Sequence, residues 1–436
     1  MKAEIIAVGT ELLLGDIVNT NAQYLAKELA QLGITVHYQS VVGDNPARLT
    51  ECVKQAKSRS DILLFSGGLG PTEDDLTKET VAAAFGDTLV FDAAQMEKIE
   101  SFFKRTGRPM APNNRKQAMI PAHGKKIEND NGTAPGVIFA DGTQYAILMP
   151  GPPKELKPMF EARVKPFLKS LCGGAIVSIS MREFGIGESH LETIVKPFLD
   201  DTNPTTALYA KDGEVLLRIT AKAESTLQAQ SICAARADEV QAALGAFYYG
   251  RDVDGLEEVV VPLLAQKQLQ IATAESCTGG LLSSRITNVS GASSVFSFGC
   301  CTYANIAKEK AIGVSHATLQ QFGAVSSQTA GEMAAGVAKA ASAHIGVGIT
   351  GIAGPTGGTP EKPVGLVYIG VYYNQKVYIK KITEGERGRA HVRWMATQNA
   401  LDMVRRLLQG LPCAEDVQIF CAGEPADINR HTKSSI

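Results

Sequence analysis

The sequence predicts two α/β domains, the first built on a parallel sheet with helices on both faces, with a small α+β segment between them. Three observations support this. Residues 1–170 alternate strand-like and helix-like hydrophobic patterns, and the same alternation returns over residues 256–410. Glycines, 42 in 436 residues, gather in short polar loops that follow the strand patterns, which is where open α/β sheets bind ligands. No internal repeat relates the two blocks, so they read as different domains, and a length of 436 residues suggests about three domains at roughly 150 residues each.

In the first block, Ile5 to Val8 is a short apolar strand. Ala22, Leu25, Leu29 and Leu32 then recur at helical spacing and stop at Gly33. Ile34 to Val42 reads as a second strand, Pro46 to Lys57 as a helix and Asp61 to Phe65 as a third strand. A helix ending near Gly86 follows, and Tyr145 to Met149 is a later strand running into a helix. Over residues 171–250, Ala175 to Ser180 and Val215 to Ala221 look like strands and Ser225 to Leu244 like a helix, with Tyr249 to Gly255 as a linker. The third block carries a strand at Gln270 to Ala274, two strands around Val364 to Ile382 and a last helix containing Arg393 to Leu407. The tail 411–436 shows no pattern.

Composition excludes several classes. With 43 Lys and Arg against 45 Asp and Glu, the net charge of −2 lacks the basic footprint of a direct nucleic-acid binder. Aromatic residues are 6%, with Trp394 the single Trp, so stacking platforms for single strands are few. No apolar run approaches the ~18 residues of a membrane span. The start MKAEIIAVGT reads as a buried strand, not a signal peptide. The eight cysteines form no C-x-x-C and look like thiols of a reducing cytoplasm, and the seven histidines form no zinc pattern.

Three motifs carry candidate chemistry. Ser66 to Asp75, SGGLGPTEDD, joins a strand to a helix. Glycines there let backbone approach a ligand, and a helix start favours an anion. Adjacent carboxylates beside a phosphate call for a hard cation, so Asp74 or Asp75 would hold a Mg²⁺-type ion. An acidic helix N-terminus needing no ligand explains the same residues. Glu11 and Asp16, the loop Asn131 to Gly136, and Pro150 to Pro153 sit at other strand ends and converge on the same crevice if the sheet is open.

The second motif is Thr273 to Gly280, TAESCTGG. A serine on a strand-to-helix turn presents its hydroxyl outward, and the N–H groups after it can form an oxyanion hole. Cys277 is the rival nucleophile, with no histidine nearby in sequence. A neutral lysine can activate Ser276, and Lys308, five residues after Tyr303, is the candidate if burial lowers its pKa. Helix capping by Ser276 and a solvated helix face for Lys308 are the bland alternatives. The third motif is Gly348 to Gly358, GITGIAGPTGG, a strand end at which backbone and Thr350 can grip a phosphate or a ribose, with Arg389 and Arg393 one helical turn apart as a phosphate clamp.

Read together, GTELLLGDIVNTN, GGLGPTEDD, NGTAPG, PGPPKE, TAESCTGG and GIAGPTGGTPEKPVG, in this order over residues 1–410, resemble the competence/damage-inducible protein A (CinA) family. The resemblance implies an N-terminal MogA/MoeA-like (molybdopterin-binding-like) three-layer domain over 1–170, associated with divalent-metal-dependent ADP-ribose pyrophosphatase activity. It implies a KH-like α+β middle domain over 171–250, involved in dimer contacts. Over 256–410 it implies a C-terminal α/β domain that deamidates nicotinamide mononucleotide (NMN).

Carried onto this sequence, the catalytic residues are Ser276, Lys308 and Tyr303. The C-terminal substrate contacts are Glu275, Cys277, Thr278, Gly279, Asn305, Thr350, Gly351, Gly354, Arg389 and Arg393. In the N-terminal domain they are Glu11, Gly67, Gly68, Gly70, Thr72, Asn131, Gly151 and Pro152, with Asp74 and Asp75 on the metal. Two departures stand out: YANIAK has lost polar side chains at Ala304 and Ile306, and GERGRAHVR leaves Arg387 as well as Arg389 for the phosphate. The resemblance implies a cytoplasmic homodimer acting on nucleotides, with no cofactor in the C-terminal domain. An N-terminal domain that only binds a pterin or nucleotide, or a competence-associated adaptor, are the readings from other classes.

Overall fold

The computed structural model describes residues 1–171, 173–423 and 426; Cys172 and most of the tail beyond residue 423 lie outside the described residues. The chain forms two compact units, residues 1–178 with 220–233 and residues 179–219 with 234–436.

In the first unit six strands form one sheet: β1 (Lys2–Val8), β2 (Thr35–Val42), β3 (Ile62–Ser66), β4 (Lys125–Ile127), β5 (Gly136–Asp141) and β6 (Gln144–Met149), in the order β2-β1-β3-β6-β5-β4. Strands β2, β1, β3 and β6 are mutually parallel. The expected parallel sheet ends there, because the two-residue turn of Gly142 and Thr143, with Gly142 at φ 59°, folds β6 tightly back onto β5 and leaves β5 and β4 each antiparallel to its neighbour. Both faces of the central strands are covered. Ile62 and Leu64 of β3 pack with Leu25 and Leu29 of α1 (Thr20–Gln31). Leu63 and Phe65 pack with Leu49 and Val53 of α2 (Pro46–Arg59) and Val81 of α3 (Thr77–Ala84). This two-sided burial explains the continuous apolar run of β3 beside the one-sided helix stripes. Register pairs Val8↔Val42, Ala7↔Ser66 and Ser66↔Met149 bring four strands to an end together, so the loops that follow them lie side by side.

The segment expected as a separate middle domain contributes strands β7 (Ala175–Glu183), β8 (Thr205–Lys211), β9 (Glu214–Ala223) and β10 (Tyr248–Arg251), in the order β8-β9-β7-β10. Tyr249 to Gly255, read as a linker, is in part a strand. β10 runs antiparallel to β7 through Tyr248↔Glu183, and Tyr249 is buried with its hydroxyl donating to Glu214 at 2.6 Å. Gly/Asp-rich composition suggested a loop there; pairing and burial of one tyrosine override it.

The second unit's main sheet has strands β11 (Ile271–Glu275), β12 (Phe296–Cys301), β13 (Ile345–Gly351), β14 (Leu366–Tyr373), β15 (Lys376–Thr383) and β16 (Val417–Cys421), in the order β12-β11-β13-β14-β15-β16. β11 is parallel to β12 and β13; the remaining neighbours are antiparallel. β16 lies in the tail that showed no pattern: it is a five-residue edge strand with one buried side chain, Phe420, too short for alternation to register.

A 15-residue helix, Ser327–Ala341, packs on this sheet directly over the glycines of β13 and β14. A Cβ at Gly348 would lie 2.5 Å from the Ala330 carbonyl oxygen and 2.7 Å from Met333 Cβ. Backbone approach this close leaves no room for a methyl group, so Gly348→Ala is expected to lower unfolding free energy by about 1–3 kcal/mol, as overpacked core sites do. Urea titration of the full chain measures it; an unchanged midpoint would mean the helix moves away without cost.

Candidate active sites

In the first unit the four aligned strand ends open onto a cavity of about 340 Å³. Glu11, Gly67, Gly68, Gly70, Thr72, Asp74, Asp75, Gly151 and Pro152 all line it, whereas Asp16, expected there with Glu11, does not. Gly67 and Gly68 have φ of 105° and 69°, and a side chain at Gly67 would run into the Val8 carbonyl, so this turn is open to glycine alone. Asn21 ties two of the loops together, its amide donating to Ser66 Oγ at 2.7 Å and the Gly151 carbonyl at 2.6 Å.

Asn131 is not among the lining residues. Its loop reaches the cavity through Thr133 and Ala134, and its N–H donates to Asn129 Oδ1 at 3.0 Å. Sequence reasoning missed Asp44, Gln117 and Glu155, which also line it. Asp44 and Glu155 were findable as carboxylates just beyond β2 and β6, whereas Gln117 had no signal.

The acidic residues are largely engaged. Asp44 accepts from Thr10 N at 2.9 Å, Glu155 from Asn129 at 2.9 Å, and Asp75 from the N–H and hydroxyl of Thr72. The Thr72 hydroxyl, its own N–H and the charge of Lys116 hold the Asp74 carboxyl below the usual range. Among the described residues no three His, Cys, Asp or Glu side chains group as a metal cage. Mg²⁺ does not need one, since it is commonly held by one or two carboxylates together with substrate phosphates and water, and Asp74 beside a glycine-floored anion site suits that role.

In the second unit, the turn after β11 is clamped by a buried carboxylate. Glu275 accepts from the N–H groups of Gly280 (3.1 Å), Leu282 (3.0 Å) and Ser283 (2.9 Å) and from Ser283 Oγ (2.7 Å). It is completely buried with both oxygens occupied, so it is a turn-holding residue and not the substrate contact expected. Ser276 N donates to the Ile349 carbonyl at 2.9 Å and Gly279 N to Ser276 O at 3.1 Å, which removes Gly279 from the expected oxyanion donors. The N–H groups of Cys277 and Thr278 donate to no other residue among the described residues. They follow the serine directly as a pair of donors open to a ligand.

Lys308 Nζ sits 3.3 Å from Ser276 Oγ. The side chain is fully buried on the helix Asn305–Ile312, and its Nζ donates to the carbonyls of Thr302 (2.7 Å) and Tyr303 (3.2 Å). Burial lowers its pKa, which favours the neutral amine a general base requires. Burial pushes the Cys277 thiol the other way, up to about 12, so this cysteine stays a thiol and is not the nucleophile.

Tyr303 departs from expectation. Its backbone carbonyl, not its phenol, meets Lys308, and the residue is 65% exposed with no hydrogen bond from its hydroxyl among the described residues. Asn305 is likewise exposed. Thr350 is buried and its hydroxyl donates to the Ala324 carbonyl at 2.6 Å, so it can only accept from a ligand. Arg393 grips the Thr278 carbonyl through Nη2 (2.6 Å) and Nε (3.2 Å), tying the last helix, Arg389–Gln409, to the turn. Arg389 donates one hydrogen bond, at 3.1 Å, to the carbonyl of Gly354 and keeps its other donors. Arg387 lies 3.8 Å from Glu384 with its side chain 70% exposed, so Arg389 is the arginine tied to the glycine loop after β13.

Three family models match in order: "Probable molybdopterin binding domain" over residues 4–170, "Damage-inducible protein CinA KH domain" over 178–250 and "CinA C-terminal domain" over 253–408. A Clostridioides difficile (strain 630) protein named "Putative competence-damage inducible protein" is 50% identical over 420 residues, covering 94% of this chain and 100% of that one. A "CinA-like protein" of Kosmotoga olearia is 50% identical over 409 residues, covering 94% and 99%. Among solved structures, CinA from Thermoplasma acidophilum, described as of unknown function, is 38% identical with a TM-score of 0.35, covering 38% of this chain and 96% of that chain. With such identity along nearly its whole length, and with the three matched domains in sequence, this chain belongs to the CinA family.

Proposed function

We propose that the second unit is a serine amidase that hydrolyses the carboxamide of NMN to give nicotinate mononucleotide and ammonia. The observation that carries this reading is the fully buried Lys308 amine 3.3 Å from Ser276 Oγ, on a turn with two unpartnered N–H groups. Neutral Lys308 takes the Ser276 hydroxyl proton as Oγ attacks the carboxamide carbon. The carbonyl oxygen becomes an oxyanion held by Cys277 N–H and Thr278 N–H. Lys308 returns the proton to the leaving nitrogen and ammonia departs. Water, deprotonated by Lys308, then cleaves the acyl-serine ester and restores both residues. The free donors of Arg389 and the glycine loop from Gly351 to Gly354 face the ribose phosphate. Tyr303 stands on the exposed rim, where its ring covers bound substrate without joining the proton transfer.

For the first unit we propose binding of a nucleotide pyrophosphate, ADP-ribose being the substrate that the family resemblance implies. The support is the glycine-floored cavity ringed by carboxylates. Of the two adjacent carboxylates, Asp75 is engaged by Thr72 and Asp74 would hold a divalent cation, which supplies charge neutralisation at the phosphates when bound. Gly67, Gly68 and Gly70 bring backbone against the phosphates, and Thr72 and Lys116 fix the loop.

Purified full-length protein is expected to release ammonia from NMN. Ser276→Ala should lose about 10³-fold or more of the rate, and Cys277→Ala should stay within about threefold of wild type. Wild-type silence, or a Ser276→Ala protein at full rate, would end the amidase reading. The rate should climb with pH as Lys308 loses its proton, with a midpoint below the ordinary lysine value of 10.5. Lys308→Arg, which stays charged, should be slower by about 10²-fold or more at every pH. In the first unit, ADP-ribose should be cleaved to AMP and ribose 5-phosphate only with a divalent metal, and Asp74→Asn should raise the metal concentration needed. No cleavage with Mg²⁺, Mn²⁺ or Co²⁺ would leave a binding module.

A further inference from the structure

Among the described residues that line the N-terminal cavity, Gln117 is the one with a buried side-chain polar atom that has no hydrogen-bond partner. It is 3% exposed, yet its Oε1 is buried without a hydrogen-bond partner, and its amide nitrogen donates to no described residue. A buried amide left unmatched is destabilising and rare in native proteins, so each instance calls for a reason.

The backbone under Gln117 is held firmly. Lys78, 2% exposed, reaches from α3 and donates to the carbonyls of Lys116 (3.1 Å) and Met119 (2.9 Å), on either side of it. Lys116 in turn donates to the Thr72 carbonyl of the glycine-rich loop at 2.9 Å. Two lysines therefore fix the short 3₁₀ turn Pro112–Ala118 against the cavity wall, while the side chain at its end remains unsatisfied.

From this we propose that Gln117 is a specificity-determining residue of the N-terminal cavity, pairing with a neutral donor–acceptor group of the bound nucleotide, either a sugar hydroxyl or a base edge. The inference rests on the nucleotide reading of this unit and sharpens it. Phosphates have the glycine backbone and the cation has the carboxylates, so a neutral amide adds nothing to either. A primary amide offers a carbonyl and an N–H₂ side by side, and its two ends can exchange places to suit a ligand. A hydroxyl, or a ring nitrogen beside an amine, matches that pair.

Titration calorimetry on the full chain without added metal, where ADP-ribose is not turned over, tests this, using ADP-ribose, AMP, ribose 5-phosphate and pyrophosphate as probes. Gln117→Met keeps the volume and removes both polar ends. It should weaken ADP-ribose about tenfold, the scale of one or two hydrogen bonds, and leave pyrophosphate within about twofold. Its thermal midpoint should be unchanged or higher, because an orphaned acceptor has been removed. A larger loss with AMP than with ribose 5-phosphate assigns Gln117 to the base, and the reverse assigns it to the sugar.

Should Gln117→Met fail to fold, Gln117→Asn shortens the reach by one methylene and should give the same selective loss. Wild-type affinity for ADP-ribose in these variants would overturn the proposal, and so would an equal loss for ADP-ribose and pyrophosphate. A wild type that binds no ADP-ribose removes the nucleotide reading itself and this inference with it, an outcome distinct from the other two.

Discussion

The C-terminal site depends on one buried carboxylate. Glu275 gathers four hydrogen bonds from the turn and the first residues of the helix after it. A charge withdrawn from water is tolerable only when its lone pairs are filled in this way, and the positive end of a helix start adds to the compensation. The clamp curls the backbone so that Gly279 and Gly280 adopt φ of 57° and 91° and the serine carbonyl turns inward to Gly279 N. Cys277 N–H and Thr278 N–H are what the curl leaves unpaired. The carboxylate thus does no chemistry itself, yet it sets where the nucleophile and its oxyanion donors stand.

Lys308 is the second constraint, and its setting explains why it can serve as a base. Its neighbours are carbonyl oxygens, those of Thr302 and Tyr303, and a serine hydroxyl; none is a carboxylate. Carbonyls accept from an ammonium and from a neutral amine alike, so they orient Nζ without fixing its charge. Burial then decides, and it favours the neutral form. A carboxylate in the same place would have paired with the lysine and held its proton. The same burial silences Cys277, so a single desolvated environment activates the amine and deactivates the thiol.

The elements with strong periodicity were legible from sequence. The α1 stripe, the α2 helix and the β3 run fell within a few residues of their observed bounds because one-sided and two-sided burial leave different patterns. What sequence did not reveal was pairing over short spans. β10 and β16 have four and five residues, and the antiparallel β5 and β4 depend on which edge a hairpin folds to. Site placement was legible at the level of loops, since strand-end motifs do converge. Individual roles were less so. Tyr303 and Lys308 share a segment, but one points to solvent and the other into the core, a difference that spacing along a helix entry does not encode. Asn131 and Thr133 likewise share a loop, and only the latter reaches the cavity.

Both candidate sites follow one economy, which is why their motifs are conspicuous while most motif residues do no chemistry. In TAESCTGG, Glu275 holds the turn, Cys277 fills the core, Thr278 offers its carbonyl to Arg393, and the glycines permit the curl. Ser276 alone is left to react. In SGGLGPTEDD, Ser66 is bonded to Asn21, Thr72 and Asp75 close on each other, and the glycines admit backbone to the cavity. Asp74 is left facing it. A loop that must present one or two groups with sub-ångström placement needs its other side chains for self-restraint. A chain with this many glycines at strand ends can build such loops without bulk, and the reactive residue in each is then the one whose hydrogen bonds the protein itself does not complete.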